Sequence, residues 1–398
     1  VVRAKAPGWS AVRSEDVEAK EQNKVSDTVI AGCDEAFNEV LAQMGLKRFE
    51  MPKPKLNGNI SLFEVVRQKC LATLADMADE YASEGGIAFG FADHREFNAF
   101  AHRTSRDMIC FYVPAIRTLW AFFHGLMGQR EIFPWIDDAG RFEGQPPQSK
   151  GDLFFVRPPD KPANEEIEIR RKLATAMFDT ALDFMLKRQV AHLWNGHVEL
   201  LHTKRKDAPF EEMRLVEGGL DISAVQTLQY SADSYAVQQA FARAHRLNPF
   251  EEFSEGLLKD HKMPTDGAYS TTWYFTWFSI YASFRLFDES CEAVDLPEWT
   301  HPPAAVRQAC LVSSVAAVCA KQGWSKLSPN EWERIATEGG LEAERLVCRL
   351  RGFALNTNAY MSLWGAPVAD QIQNYLHVWE TLGPQLAAMP RGPLAARP

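Results

Sequence analysis

The segment LKRQVAHLWNGHVELLH, residues 186 to 202, holds the densest set of side chains able to do chemistry. Three imidazoles stand at His192, His197 and His202. A catalytic zinc needs about three protein ligands, drawn from imidazole, thiolate or carboxylate. At ~100° per residue, each five-residue step turns about 140° around a helix. The three histidines therefore do not share a face of an unbroken helix. Glu199 returns to the face of His192, but two turns away. Arg188 lies four residues before His192, with Gln189 beside it. Arginine is permanently cationic and has no lone pair to donate, and a cation there repels a dication. Glutamine ligates zinc poorly and cannot take a proton from a metal-bound water.

Three further segments carry polar groups in apolar settings. They are Asn98-Ala99-Phe100-Ala101, QYSADSYAV (229–237) with Gln229 and Asp233, and THPPAAVR (300–307) with His301 and Arg307. Singly, each has a bland reading: a lone helical histidine is usually a packed group, and His-Pro-Pro is an ordinary helix entry. A metal site could instead be built from His192 and Asp233, with His301 as a candidate third ligand.

These residues need elements to hold them. A helix is expected from Ser26 to Met44 and a second from Ser61, as N-cap, to Tyr81. The stretches 97–103 and 107–116 are rich in β-formers and read as a hairpin, followed by a helix over 117–128. Residues 134–162 read as a long loop with a short strand at DLFFV (152–156). Residues 164–206 are helical with one weak point, Gly196. Helices follow at about 223–245, 269–287, 303–322, 329–350 and 366–387. Trp273 and Trp277 are expected in the core, and residues 1–24 and 390–398 outside it.

Composition narrows the function classes. The chain has 398 residues, 46% of them hydrophobic, and a net charge of −9. That balance argues against a nucleic-acid binder driven by phosphate neutralisation. Seven scattered cysteines with no CxxC pair indicate neither a disulfide framework nor a cysteine zinc site, and suit a reducing cytoplasm. The most apolar run, 271–287, is short for a membrane span and carries Arg285. Clustered Lys204, Arg205 and Lys206 read as a solvated helix end.

Taken in order, the four segments resemble zinc metallopeptidases of the HtpX and CAAX-prenyl-protease type, and the phage-exclusion peptidase Lit with its bacterial relatives. Those families have an Asn-Ala-x-Ala strand, a His-Glu-x-x-His helix and a later helix bearing Glu-x-x-x-Asp. The likeness spans roughly residues 60–310. It implies that the metal histidines fall on Arg188 and His192, the general base on Gln189 and the third ligand on Gln229. Asp233 would lie four residues on, with Asn98, His197, His301 and Arg307 around the cleft. The expected fold is α+β and mainly helical: an N-terminal helical extension (1–60), a zincin-like core with a small sheet (61–310) and a C-terminal helical region (311–398). The resemblance implies that Arg188 takes the place of the metal and ties the two helices through Asp233. The favoured expectation is a catalytically degenerate bacterial protein that binds or scaffolds a protein partner, with no cofactor. The alternatives are an active hydrolase with zinc on His192, Asp233 and His301, and a helical protein unrelated to zincins.

Overall fold

A computed structural model describes residues 33–51, 61–80, 87–103, 106–129, 132–136, 165–204, 210–211, 220–254, 269–287 and 302–389. The first helix, α1 (Cys33–Gln43), leads to a two-residue strand β1 (Lys47–Arg48) and then to α2 (Leu62–Glu80). Ser61 caps α2, its hydroxyl accepting from the backbone N–H of Glu64 at 3.2 Å. Strands β2 (Ile87–Asp93), β3 (Ala99–Arg103) and β4 (Asp107–Tyr112) follow, with β5 (Phe210–Glu211) later in the chain. They form one mixed sheet in the order β1-β2-β4-β3-β5.

The expected hairpin is present: β3 and β4 pair antiparallel, with Phe100 opposite Cys110. The sheet is larger than that hairpin. Strand β2, absent from the sequence reading, runs parallel to β4 and sits between it and β1. Strand β4 also ends earlier than expected. Residues 113–116 begin helix α3 (Val113–Met127), with Pro114 in its first turn. Proline suits that position because the first-turn N–H groups have no intrahelical partner.

The pleat gives each face its own core. Ile87, Phe89, Phe91, Ile109 and Phe111 face the main core. Ala88, Ala92, Phe100, Met108, Cys110 and Tyr112 face a smaller one formed with Phe37, Val40 and Leu41 of α1. Alternate side chains of a strand point to opposite faces, so covering both faces makes the strand apolar throughout. Ala99 and Ala101 are the small residues of β3 on the main-core side, where the strand meets α4 (Glu165–Trp194).

Helix α4 stops at the expected weak point. Gly196 has φ of +78°, and α5 (His197–Lys204) begins directly after it. A Cβ at Gly196 would also lie 3.1 Å from that of Met389. Helix α6 (Ile222–Leu247) packs along α4, its N-terminus capped by Asp221. Helix α7 (Tyr269–Phe287) is buried from Ser270 onward. Some of its hydroxyls bond within the helix: Thr276 donates to the Thr272 carbonyl at 2.7 Å and Ser279 to that of Phe275 at 2.7 Å. Trp273 and Trp277 lie in the core.

Helices α8 (Ala304–Gln322), α9 (Pro329–Arg351), the short α10 (Thr357–Ser362) and α11 (Ala366–Ala387) complete the described chain. Helix α9 presses against α7 through Gly339, where a Cβ would stand 2.9 Å from the Tyr274 carbonyl oxygen. Helix α8, rather than the 271–287 run, is the one described helix long and apolar enough to cross a membrane, and 61% of its apolar stretch is buried within the fold. The architecture is thus α+β and mainly helical. The expected DLFFV strand, the 1–24 segment and the C-terminal tail lie outside the described residues, as does the start of the first helix before Cys33.

Candidate functional site

Arg188 is one of the most deeply buried large side chains, 1% exposed. Its Nε donates to Asp233 Oδ1 at 2.6 Å, and its Nη2 donates to Gln229 Oε1. Gln229 and Asp233 are four residues apart on α6, so both face α4. A second guanidinium meets the same carboxylate from α8. Arg307 donates from Nε to Asp233 Oδ2 at 3.1 Å and from Nη2 to Oδ1 at 3.0 Å. The carbon at its centre lies 3.9 Å from the centroid of the Phe284 ring. Two cations on one carboxylate leave this buried Arg–Asp–Arg triad with a net positive charge. Burial pushes the Arg188 pKa down to about 9, opposed by Asp233 and aided by Arg307. Arg188 stays charged at neutral pH.

The histidines are arranged differently from the unbroken-helix expectation. The turn at Gly196 carries His197 back toward His192, and their Nδ1 atoms lie 3.0 Å apart. In such a contact one nitrogen donates and the other accepts, so two neutral rings take opposite tautomers. Burial and then the nearby Arg188 charge push the His197 pKa down to about 3, so it is neutral across the physiological range. His202 packs edge-on to His102 of β3 with centroids 5.4 Å apart. Glu199 also points elsewhere, accepting from Arg103 Nη1 at 2.5 Å.

Gln189 is fully buried, and neither end of its carboxamide has a hydrogen-bond partner among the described residues. Asn98, just ahead of β3, is buried; its carbonyl accepts from Tyr112 N–H at 3.0 Å and its Oδ1 from Ala99 N–H at 2.8 Å. The structure thus brings Arg188, Gln229, Asp233 and Arg307 into one cluster, with His192 and His197 paired on the helix that carries Arg188. His301 lies outside the described residues. Phe284 was missed by sequence reasoning. Its only signal was position in the apolar α7 run, which does not reveal a contact with Arg307.

The donor set does not fit zinc. The position four residues before His192 is a guanidinium, Asp233 is engaged by two arginines, and the two histidines face each other through Nδ1. No group of three or more His, Cys, Asp or Glu side chains able to hold a metal occurs among the described residues.

Comparison with family models, with curated proteins and with solved structures gives no match. Fold and site define a class only: a mainly helical α+β protein with an arginine–carboxylate cluster inside its core.

Proposed function

We propose that this chain is a catalytically degenerate, metallopeptidase-like protein that acts by binding or scaffolding a protein partner. The observation that carries the reading is the Arg188 guanidinium, held by Gln229 and Asp233 on the neighbouring helix. In the families the chain resembles, the positions of Arg188 and Gln229 carry metal ligands, and that of Asp233 the aspartate four residues after the second of them. Support also comes from the placement of β3 and α6 against α4, which follows the order of a strand, a first helix and a second helix in those families. A cation fixed in the donor set gives the site a structural task, joining α4, α6 and α8, in place of a hydrolytic one. Gln189 fits the same reading, because a carboxamide cannot act as the general base that such a peptidase needs.

The test is elemental analysis of protein purified without chelator, together with a general peptidase assay. The expected result is zinc far below one equivalent per chain and no hydrolysis. Stoichiometric zinc with activity removed by His192→Ala would overturn the reading. It would favour a working hydrolase with an altered metal site.

A further inference from the structure

A cleft of about 630 Å³, with no triad residue in its lining, lies between α3, α4 and the C-terminal end of α6. Its size suits a small organic molecule, since such sites run from about 300 to 1,000 Å³. The charge around it is mainly positive. Arg171 and Lys172 stand on α4, and Arg243 on α6. Arg243 makes no ion pair among the described residues, and Lys172 makes a loose one, its Nζ 3.8 Å from Glu252 with both side chains about half exposed. The acid on the wall, Asp179, is already neutralised: Lys69 Nζ donates to both its oxygens at 2.6 Å. The negative end of α6 is met by His245 and Arg246 in its own last turn.

The uncharged part of the wall joins apolar side chains to His124 and to two threonines, Thr175 and Thr180, whose hydroxyls donate to the Arg171 and Ala176 carbonyls of their own helix. Trp120 stacks on His124 with ring centroids 3.7 Å apart, and Leu247 is 55% exposed at the rim. His124 is 7% exposed, and its Nε2 is buried without a hydrogen-bond partner among the described residues. An unsatisfied buried imidazole nitrogen costs about 1–3 kcal/mol, so its presence in the wall of an open cleft asks for a ligand atom. Burial and Arg171 push the His124 pKa down to about 4, which keeps the ring neutral and able to bond a ligand.

We infer that this cleft binds a small organic anion, a carboxylate or phosphate group on an apolar body. The anionic group meets Arg171, Lys172 and Arg243, the body lies against Trp120 and Leu247, and a polar atom reaches His124 Nε2. The site is independent of the triad and of the reading given to it.

Titration of the full chain with phenylacetate, phenyl phosphate and neutral phenylacetamide, followed by ligand-observed NMR, tests this. At least one of the two anions is expected to bind, with phenylacetamide at least about tenfold weaker. Which anion binds separates a carboxylate site from a phosphate site. The exposed and half-exposed replacements R171Q and R243Q together should weaken the anion at least about tenfold in protein that circular dichroism shows to be folded. His124→Phe, which keeps the ring stack on Trp120, should weaken it further. Binding no stronger for either anion than for phenylacetamide, or equal anion affinity in the R171Q/R243Q protein, overturns the proposal.

Discussion

Two buried clusters in this fold use the same chemistry with different bookkeeping of charge. Around Asp233, two arginines from α4 and α8 share one carboxylate. Around Glu344 of α9, one arginine meets one carboxylate: Arg285 Nε donates to Oε1 at 3.1 Å and Oε2 at 2.9 Å. Tyr281 donates to Oε2 at 2.7 Å and Cys348 Sγ lies 3.2 Å from Oε1. The Glu344 cluster is balanced and its acceptors are filled by neutral donors. The Asp233 cluster carries one cation more than its carboxylate can neutralise. Removing the partner of a buried charge costs far more than the intact pair contributes, because an uncompensated ion is left inside. The two clusters should therefore differ sharply in how they respond to loss of the acid.

The largest effect is expected for Asp233→Asn, which leaves two guanidiniums facing each other in the core. We expect a loss of at least about 4 kcal/mol, enough to leave much of the chain unfolded. Urea denaturation followed by circular dichroism would measure it. Glu344→Gln strands a single arginine, and the carboxamide still accepts from Tyr281. Its expected cost is smaller, about 3 kcal/mol. If the two variants are equally destabilised, the excess charge at Asp233 has no energetic consequence and the contrast fails.

How much of this was visible in the chain depends on whether contacts are local. Helix α7 was legible end to end, since its aromatic-rich run from Tyr269 to Phe287 contains neither proline nor glycine. Ser61 and Gly196 were legible as a cap and a break because their signals are short-range. Arg188, Gln229 and Asp233 could be singled out from their spacing on two helices and the family likeness. Strand β2 was not found: IAFGFA is covered on both faces, so it lacks the alternation that marks a half-buried strand, and its parallel pairing to β4 is non-local. The pairing of His192 with His197 was hidden for a related reason. Helical arithmetic separates them, and only the left-handed turn at Gly196 swings one ring onto the other.

Acid should act on the Asp233 side of the comparison. The folded-state pKa of His197 is held near 3, below its ordinary value of 6.5. Between those values the unfolded chain binds a proton that the folded chain refuses, so stability is full above about pH 6.5 and falls as pH drops toward 3. The loss is at most about 1.4 kcal/mol per pH unit from this group. His124, held near 4, adds the same trend from the cleft. His197→Gln removes the first contribution and keeps a group able to bond His192. Denaturation at pH 7 and pH 4.5 should show a shallower decline for the variant. Equal declines in both proteins would place the acid sensitivity elsewhere.

The smallest expected effect concerns Gln189, which stands beside Arg188 in the chain and takes no part in the triad. Each polar atom at Glu344 has a partner, whereas the Gln189 carboxamide has none among the described residues. A buried amide without a hydrogen bond is destabilising, and an apolar side chain of like shape removes that cost. Gln189→Met matches the length and flexibility of glutamine and should raise stability by about 1 kcal/mol. Gln189→Glu would restore the carboxylate of a peptidase helix, yet with Arg188 still in place it should yield neither zinc nor hydrolysis. Burying a further ionisable group instead predicts a less stable protein. A stabilised glutamate variant that binds zinc stoichiometrically would mean that the arginine does not close the site, and the contrast between the two clusters would lose its functional meaning.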